Sequence, residues 1–233
     1  MKSTFNTVAI MPAYNEEKNI QEVVEKCKKF TDNIIIVNDG SEDNTKKIAE
    51  TLNIILINHE TNLGKGEAIK TATHYILENM KEIEYVVIVD TDMQYNPEDS
   101  EKLLDPIKNN EADFVMGYRN WKEVPLLHRI GNHVWRIFFN TLFKTRLKDV
   151  SCGFVAMNKK ALESIDNLYG GYIIESSMLI QCITKHMRIK QVSVTVKYPI
   201  SSNLIKGIRM ALGVLVFIMK KGIDYRLNKN NKL

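Results

Sequence analysis

Asp90-Thr91-Asp92, with Gln94 two residues further on, is the strongest chemical signal in the chain. Two acids separated by one residue can approach the same small cation, and the glutamine adds a neutral oxygen. An all-oxygen set of this kind suits Mg²⁺ or Mn²⁺ bridging a diphosphate. The group follows residues 85–89, a continuous β-branched run that reads as a strand buried on both faces. Ligands of open parallel sheets bind beyond the carboxyl ends of strands, which is where these carboxylates fall. The competing reading is a strand-end turn with its acids in solvent.

Two other strand ends carry polar groups. Asp39, in Asn38-Asp39-Gly40-Ser41, follows the apolar run 33–37 and can accept hydrogen bonds from a base or a ribose. Ser41 and Asp43 could instead cap the next helix. The first apolar run, 7–11, leads to Tyr14-Asn15-Glu16-Glu17, where a helix cap explains the acids but not the tyrosine. Asn62-Leu63-Gly64-Lys65-Gly66 lacks the spacing of a P-loop, yet a Gly-Lys-Gly turn at a helix N-terminus can meet phosphate oxygens.

The elements that must position these groups alternate. Strands are expected at 7–11, 33–37, 54–57, 85–89 and 113–117, with helices at 16–29, 43–51, 66–79 and 97–109 between them. Such alternation means βαβ units and a mostly parallel sheet. Further on, Leu126, Ile130, Val134, Phe138 and Leu142 recur every fourth residue among Arg129, His133, Arg136 and Lys144, the pattern of a basic amphipathic helix. A strand near 154–158, a helix around 176–185, a strand at 191–198 and a second basic amphipathic helix at 204–227 complete the expectation.

With 233 residues and 44% apolar content, the chain can bury one substantial core. No uncharged apolar run approaches the ~18–20 residues that cross a bilayer. Cys27, Cys152 and Cys182 are too scattered for a metal knuckle or a disulfide framework, so a reducing cytoplasmic setting is expected. The net charge of +4 is uneven: from residue 176 onward eleven Lys/Arg stand against Asp224 alone, or +10, leaving −6 for residues 1–175. A basic tail on an acidic body points to an anionic surface, membrane or nucleic acid, or simply to a solvated basic face.

Taken in order, Met11-Pro-Ala-Tyr-Asn-Glu-Glu, Val37-Asn-Asp-Gly-Ser, Asn62-Leu-Gly-Lys-Gly, Asp90-Thr-Asp-Met-Gln, Gly117-Tyr-Arg and Ser151-Cys-Gly-Phe resemble family 2 glycosyltransferases, specifically the dolichyl-phosphate mannose synthase-like branch. The resemblance spans roughly residues 5–200. It implies an α/β GT-A fold, Rossmann-like with a mostly parallel central sheet, over 1–200, followed by a basic helix and polar tail over 201–233. It also implies inverting transfer from a nucleotide-diphosphate sugar of the GDP-mannose or UDP-glucose type, with Mg²⁺ or Mn²⁺. By motif position Pro12, Tyr14, Asn15, Glu16, Val37 and Asp39 would hold the nucleotide, with Lys65 and Thr91 adding substrate contacts. Asp90, Asp92 and Gln94 would hold the metal, and Asp92, Gln94 and Arg119 would carry the chemistry. Arg119 and Arg129 fall where that branch contacts phosphate, and Glu175 falls where it orients the sugar or a closing loop. Asn38 stands where an acid is frequent, Val155 where an arginine is, and the basic closing loop is matched only loosely over 198–207, with Lys206 as a substitute.

The expected reaction is therefore transfer of mannose or glucose to a polyprenyl phosphate at the cytoplasmic face of a membrane, by a peripheral enzyme with no nucleic-acid partner. A phosphate monoester is already ionised, so no general base is required. The five histidines, His59, His74, His128, His133 and His186, form no catalytic pattern. A glycan or lipid-sugar acceptor would instead need a carboxylate base such as Glu175. A sugar-phosphate nucleotidyltransferase would carry a glycine-rich basic signature by the first strand, which Pro12-Ala13-Tyr14-Asn15 is not.

Overall fold

The computed structural model describes residues 6–121, 124, 126–165, 173–197 and 204–230, with backbone only at 126–128, 204–212 and 228–230. Seven strands, β1 (Thr7–Ala13), β2 (Asn33–Asp39), β3 (Ile55–His59), β4 (Tyr85–Ile88), β5 (Phe114–Arg119), β6 (Val155–Asn158) and β7 (Ile189–Val194), form one sheet in the order β3-β2-β1-β4-β6-β5-β7. Strands β3, β2, β1 and β4 pair in parallel, β6 runs antiparallel to both its neighbours, and β5 pairs in parallel with β7. The near-continuous Val/Ile runs of β1, β2 and β4 follow from burial on both faces; Val8 to Met11, Ile35 to Val37 and Val86 to Ile88 are fully enclosed.

The helices are α1 (Ile20–Cys27), α2 (Thr45–Thr51), α3 (Lys65–Asn79), α4 (Ser100–Lys108), α5 (Leu126–Phe143), α6 (Lys159–Ser164), α7 (Ile174–Thr184) and α8 (Leu204–Asn230). On α1 the buried side chains are Ile20, Val23, Val24 and Cys27, the stripe read from the sequence. Its start is four residues later than expected, because residues 16–19 form a turn in which the Glu16 carbonyl accepts from the Asn19 and Ile20 amides. The expected helix at 97–109 divides into a 3₁₀ turn (Pro97–Asp99) and α4. Strand β7 ends at Val194, and beyond it Val196 makes only an isolated bridge to Tyr95. The short helix α6 was not anticipated; its signal is Asn158, whose side chain accepts from the Ala161 amide at 2.8 Å.

Two features place the site. The order reverses at β1, with β2 and β3 on one side and β4 on the other, so the crevice for a ligand opens above β2, β1 and β4. Strand β6 is inverted, so its entry, and not its exit, meets the end of β4. The pairing of Ile88 with Val155 brings Cys152 and Gly153 beside Asp90.

Helices α5 and α8 pack on one another. The Phe143 ring lies 4.6 Å from Phe139 and 5.4 Å from Tyr225. Gly222 permits the close approach: a Cβ there would lie 2.7 Å from the Leu142 side chain. Glycine inside a helix is otherwise a cost of about 0.5–1 kcal/mol relative to alanine. Gly222→Val should therefore lower stability by about 1–3 kcal/mol through overpacking, despite removing that helix penalty. Denaturant unfolding checks this; a stabilised variant would show that the two helices do not lie so close.

Candidate active site

Asp39 lies within β2 and not in the turn after it, because Asn38 and Asp39 pair with Asn58 and His59 of β3. Its carboxylate is almost fully buried. Oδ1 accepts from the Leu63 amide (2.9 Å) and Oδ2 from the Gly64 amide (2.8 Å), while His59 Nδ1 lies 2.7 Å from Oδ1. His59 Nε2 in turn meets Thr71 Oγ1 of α3 at 2.9 Å. The Asp39 side chain thus clamps the loop that starts α3. Gly40 beside it has φ +69°, and a Cβ there would lie 2.4 Å from the Thr61 carbonyl carbon, so no other residue fits without moving that loop.

The clamp delivers Lys65, the first residue of α3, into the crevice. Lys65 Nζ lies 2.8 Å from Asp90 Oδ1 and 3.0 Å from Glu175 Oε1, a carboxylate in the first turn of α7. Burial opposes the charge on Lys65, but Asp90 and Glu175 outweigh it and hold the ammonium above its ordinary pKa. Gly153 floors this cluster: a Cβ there would lie 2.9 Å from Lys65 Nζ, 3.0 Å from Asp90 Oδ2 and 3.1 Å from Glu175 Oε1. The importance of Gly153 was carried in the sequence only by its motif; the partners it touches are far away along the chain.

Asp92 forms no ion pair with a described residue. Its Oδ1 accepts from the Gln94 amide at 2.9 Å, closing a turn in which Met93 takes φ +58°, a conformation that non-glycine side chains rarely adopt. Partial desolvation of its carboxyl, with Asp90 second, raises the Asp92 pKa. Glu16 is raised as well, first by burial, with Asp92, Asp43 and Asp90 adding repulsion against the hydrogen bond from Asn19. This concentration of negative charge fits a cation. Among the described residues, no three His, Cys, Asp or Glu side chains converge to hold an ion by themselves. Asp90 and Asp92 offer carboxylate oxygens there, the donor type that a hard cation takes.

The other side of the crevice is built from β1 and its turn. Thr91 Oγ1 donates to the Pro12 carbonyl (3.0 Å), tying the ends of β4 and β1. Asn15, at φ +57°, donates its amide to Ser41 Oγ (3.0 Å) and accepts the Glu42 amide on Oδ1 (2.9 Å). Glu17 and Asp43 cross-brace the two turns, Glu17 accepting from Asn44 and Asp43 from the Glu17 amide. A cleft of about 430 Å³ adjoins, lined by Tyr14, Asn38, Ser41, Asn58, His59 and Asn62 among others. The exposed Tyr14 ring, which helix capping left unexplained, stands at its rim. Asn38, where an acid is frequent, donates to Asn58 Oδ1 at 2.9 Å, a cross-strand amide pair.

Two expected contacts sit differently. Val37 is fully enclosed in the sheet between Pro12 and Ile57, so its side chain does not reach the crevice surface. Arg119 is 8% exposed, and its fork grips Asp149, Nε to Oδ2 at 2.7 Å and Nη2 to Oδ1 at 2.9 Å. Nη2 also donates to Ser151 Oγ (2.6 Å), which donates to Asn132 of α5 (2.7 Å). Arg129 is exposed on α5. Residues 198–203 and the Lys206 side chain of the expected closing loop lie outside the described residues, as does the His128 side chain.

Comparison with known proteins agrees with this geometry. The family profile described as Glycosyl transferase family 2 matches residues 8–166. A UDP-N-acetylglucosamine–dolichyl-phosphate N-acetylglucosaminyltransferase of Methanococcus voltae is 31% identical, over 89% of this chain and 92% of its own. A dolichyl-phosphate beta-glucosyltransferase of Trichomonas vaginalis is 27% identical, over 94% of this chain and 73% of its own. The glucosyl-3-phosphoglycerate synthase of Mycobacterium tuberculosis, solved with Mn²⁺, UDP and phosphoglyceric acid, superposes with a TM-score of 0.77 over 93% of this chain and 78% of its own, at 20% identity, a likeness of fold. With motifs, strand order and crevice in agreement, the chain belongs to glycosyltransferase family 2 and is similar to its dolichyl-phosphate sugar transferases.

Proposed function

We propose that the enzyme transfers a hexosyl group, mannose or glucose, from a nucleotide-diphosphate sugar to a polyprenyl phosphate, with inversion at the anomeric carbon. The phosphate oxygen of the acceptor would attack that carbon as its bond to the diphosphate breaks and the nucleoside diphosphate leaves. The names of the two relatives, both acting on dolichyl phosphate, support the acceptor, and the UDP-N-acetylglucosamine of one supports a UDP-linked rather than a GDP-linked donor. The observation that carries the reading is the Asp90–Lys65–Glu175 cluster beside Asp92. It sets two carboxylates and the ammonium they share beside a carboxylate that makes no described ion pair, at the sheet's switch point.

In this reading Tyr14, Asn15, Glu16 and the remaining acceptor capacity of Asp39 face the nucleotide, with the Pro12 and Val37 backbone beneath it. Asp90, Asp92 and Gln94 would hold Mg²⁺ or Mn²⁺, which supplies charge neutralisation to the departing diphosphate. Lys65 and Glu175 orient the sugar hydroxyls, and Thr91 keeps the ends of β1 and β4 together. Oε1 of Glu175, the carboxylate that a hydroxyl acceptor would need as a base, is paired with Lys65 at 3.0 Å. An acceptor already ionised as a phosphate needs no such base, and this favours the lipid phosphate over a glycan. Arg129 would meet the acceptor phosphate, whereas Arg119 supports the wall behind it through Asp149. No described helix is long and apolar enough to cross a membrane; we place the enzyme at the cytoplasmic membrane face, where its acceptor resides.

Asp92→Ala should lower turnover by about 10²-fold or more, as expected for losing charge stabilisation of a leaving group, with an unchanged melting temperature. EDTA should do the same to the unaltered enzyme. Transfer that proceeds at full rate in either case rules out the metal assignment.

Asp39→Asn puts an NH₂ group in place of the acceptor oxygen of one of the two part-buried loop amides. Stability should fall by roughly 1–3 kcal/mol together with donor affinity. A variant that loses donor affinity alone would show that the clamp on the loop is not what Asp39 contributes.

The two arginines should separate. Arg129→Ala should raise the apparent KM for the lipid phosphate while sparing donor binding. Arg119→Ala strands a buried carboxylate and should cost about 3–5 kcal/mol of stability. Equal effects in steady-state kinetics and in unfolding would contradict the division.

A further inference from the structure

His59 has no part in the proposed reaction, yet only 9% of its side chain is exposed and both ring nitrogens have partners. Nδ1 lies 2.7 Å from Asp39 Oδ1, and Nε2 lies 2.9 Å from Thr71 Oγ1. Asp39 also accepts the Leu63 and Gly64 amides, so its oxygens act as acceptors and the proton between it and His59 belongs to Nδ1. Nε2 meets a hydroxyl, which can donate to a bare nitrogen or accept from a protonated one. The pair is satisfied either way.

These bonds fasten α3 to the sheet at two places. Asp39 of β2 holds the amides just before the helix, and His59 of β3 holds Thr71 in its body. At 1.5 Å per residue the two attachments stand roughly 10 Å apart along the axis. Between them α3 buries Ala68, Ile69 and Ala72. Apolar contact is non-directional, and two alanines present little relief against a slide along the axis. The hydrogen bonds therefore set where the helix stands along the sheet. Lys65 is its first residue and must reach Asp90 at 2.8 Å and Glu175 at 3.0 Å, so a slide or pivot of α3 displaces Lys65 from both.

We propose that His59 is a positioning residue for the donor's sugar: through Asp39 and Thr71 it fixes α3 where Lys65 meets Asp90 and Glu175. This rests on the reading of Lys65 as a contact of the sugar. His59 also borders the cleft beside Tyr14, so a direct contact with the nucleotide is the rival role. The two roles predict different losses. A residue that acts through Lys65 affects the hexosyl part of the donor. One that meets the nucleotide, or only supports the fold, weakens the nucleoside diphosphate to the same degree.

Calorimetry with Mg²⁺ first finds which of UDP-glucose, UDP-N-acetylglucosamine and GDP-mannose the unaltered enzyme binds most tightly. That donor is then compared with its nucleoside diphosphate alone. His59→Ala should weaken the donor about tenfold or more, as expected for losing a hydrogen bond to a charged group, while the diphosphate changes little. Thr71→Val keeps the side-chain shape and leaves Asp39 its partner. It should show the same selective loss in smaller measure, and it carries the test where His59→Ala does not fold. His59→Asn returns an N–H near the Nδ1 position without the Thr71 contact, so it should recover to about the level of Thr71→Val. Equal weakening of donor and diphosphate overturns the proposal, as does unchanged donor affinity in Thr71→Val, or a His59→Asn variant no better than His59→Ala. Lys65→Met separates the proposal from the reading beneath it. A selective loss there without one in the His59 and Thr71 variants defeats the role of His59 alone. No selective loss in Lys65→Met refutes the sugar contact, and the proposal with it. Binding of none of the three donors refutes the proposed reaction and the proposal together.

Discussion

An ammonium group shared by two carboxylates organises the crevice. Lys65 reaches Asp90 at the end of β4 and Glu175 at the start of α7, and most of the polar structure at the strand ends serves to hold it there. Asp39 fixes the two amides that precede it, His59 ties that clamp to α3, and Gly153 leaves the space in which the three charges meet. A buried charge is tolerated only when paired and hydrogen-bonded. The cluster therefore couples the half of the fold formed by β1 to β3 to the half formed by β6 and α7. Asp92, like Glu16 beside it, makes no described ion pair, so negative charge is cation-satisfied on the Lys65 side of the site and not on the other.

The inverted strand β6 supplies the second constraint. In an all-parallel sheet the segment leading into a strand lies at the wrong end to meet a ligand. Inversion turns Ser151 to Phe154 toward the crevice and lets a glycine stand against Asp90. The Arg119–Asp149 pair lies just behind this segment, and Ser151 links it to Asn132. The wall of the site is thereby continuous with the helix whose outer side is apolar.

Much of this was legible in the residues. Runs of β-branched residues located β1, β2 and β4 because parallel strands are buried on both faces, and the acids after them marked the carboxyl ends. What stayed hidden involves pairing across long separations. Lys65 and Glu175 are 110 positions apart, and nothing in the spacing of Gly64-Lys65-Gly66 reveals a carboxylate partner. Asp149 carries no motif of its own, so Arg119 read as a phosphate contact when its fork is in fact occupied by that acid. Asp39 read as lying beyond the strand because its pairing with His59 on β3 depends on register. Helix α6, only six residues long, offers too few positions for a period to show. The stripe on α5 was visible, but whether its residues face core or surroundings is a matter of packing; both are true, on opposite sides.

The end of α5 has an unusual stop. No glycine follows it; Lys144 takes the left-handed conformation at φ +54°, and the terminal carbonyls of Thr141 and Leu142 are satisfied by the Arg226 guanidinium of α8. A cation at a helix C-terminus also complements the helix dipole. The group that completes this helix is thus encoded more than eighty positions after it. During synthesis from the N-terminus the whole sheet can assemble while those carbonyls still face water. A helix that emerges after the sheet finishes an element made long before, which puts a direction in time on the assembly of this fold.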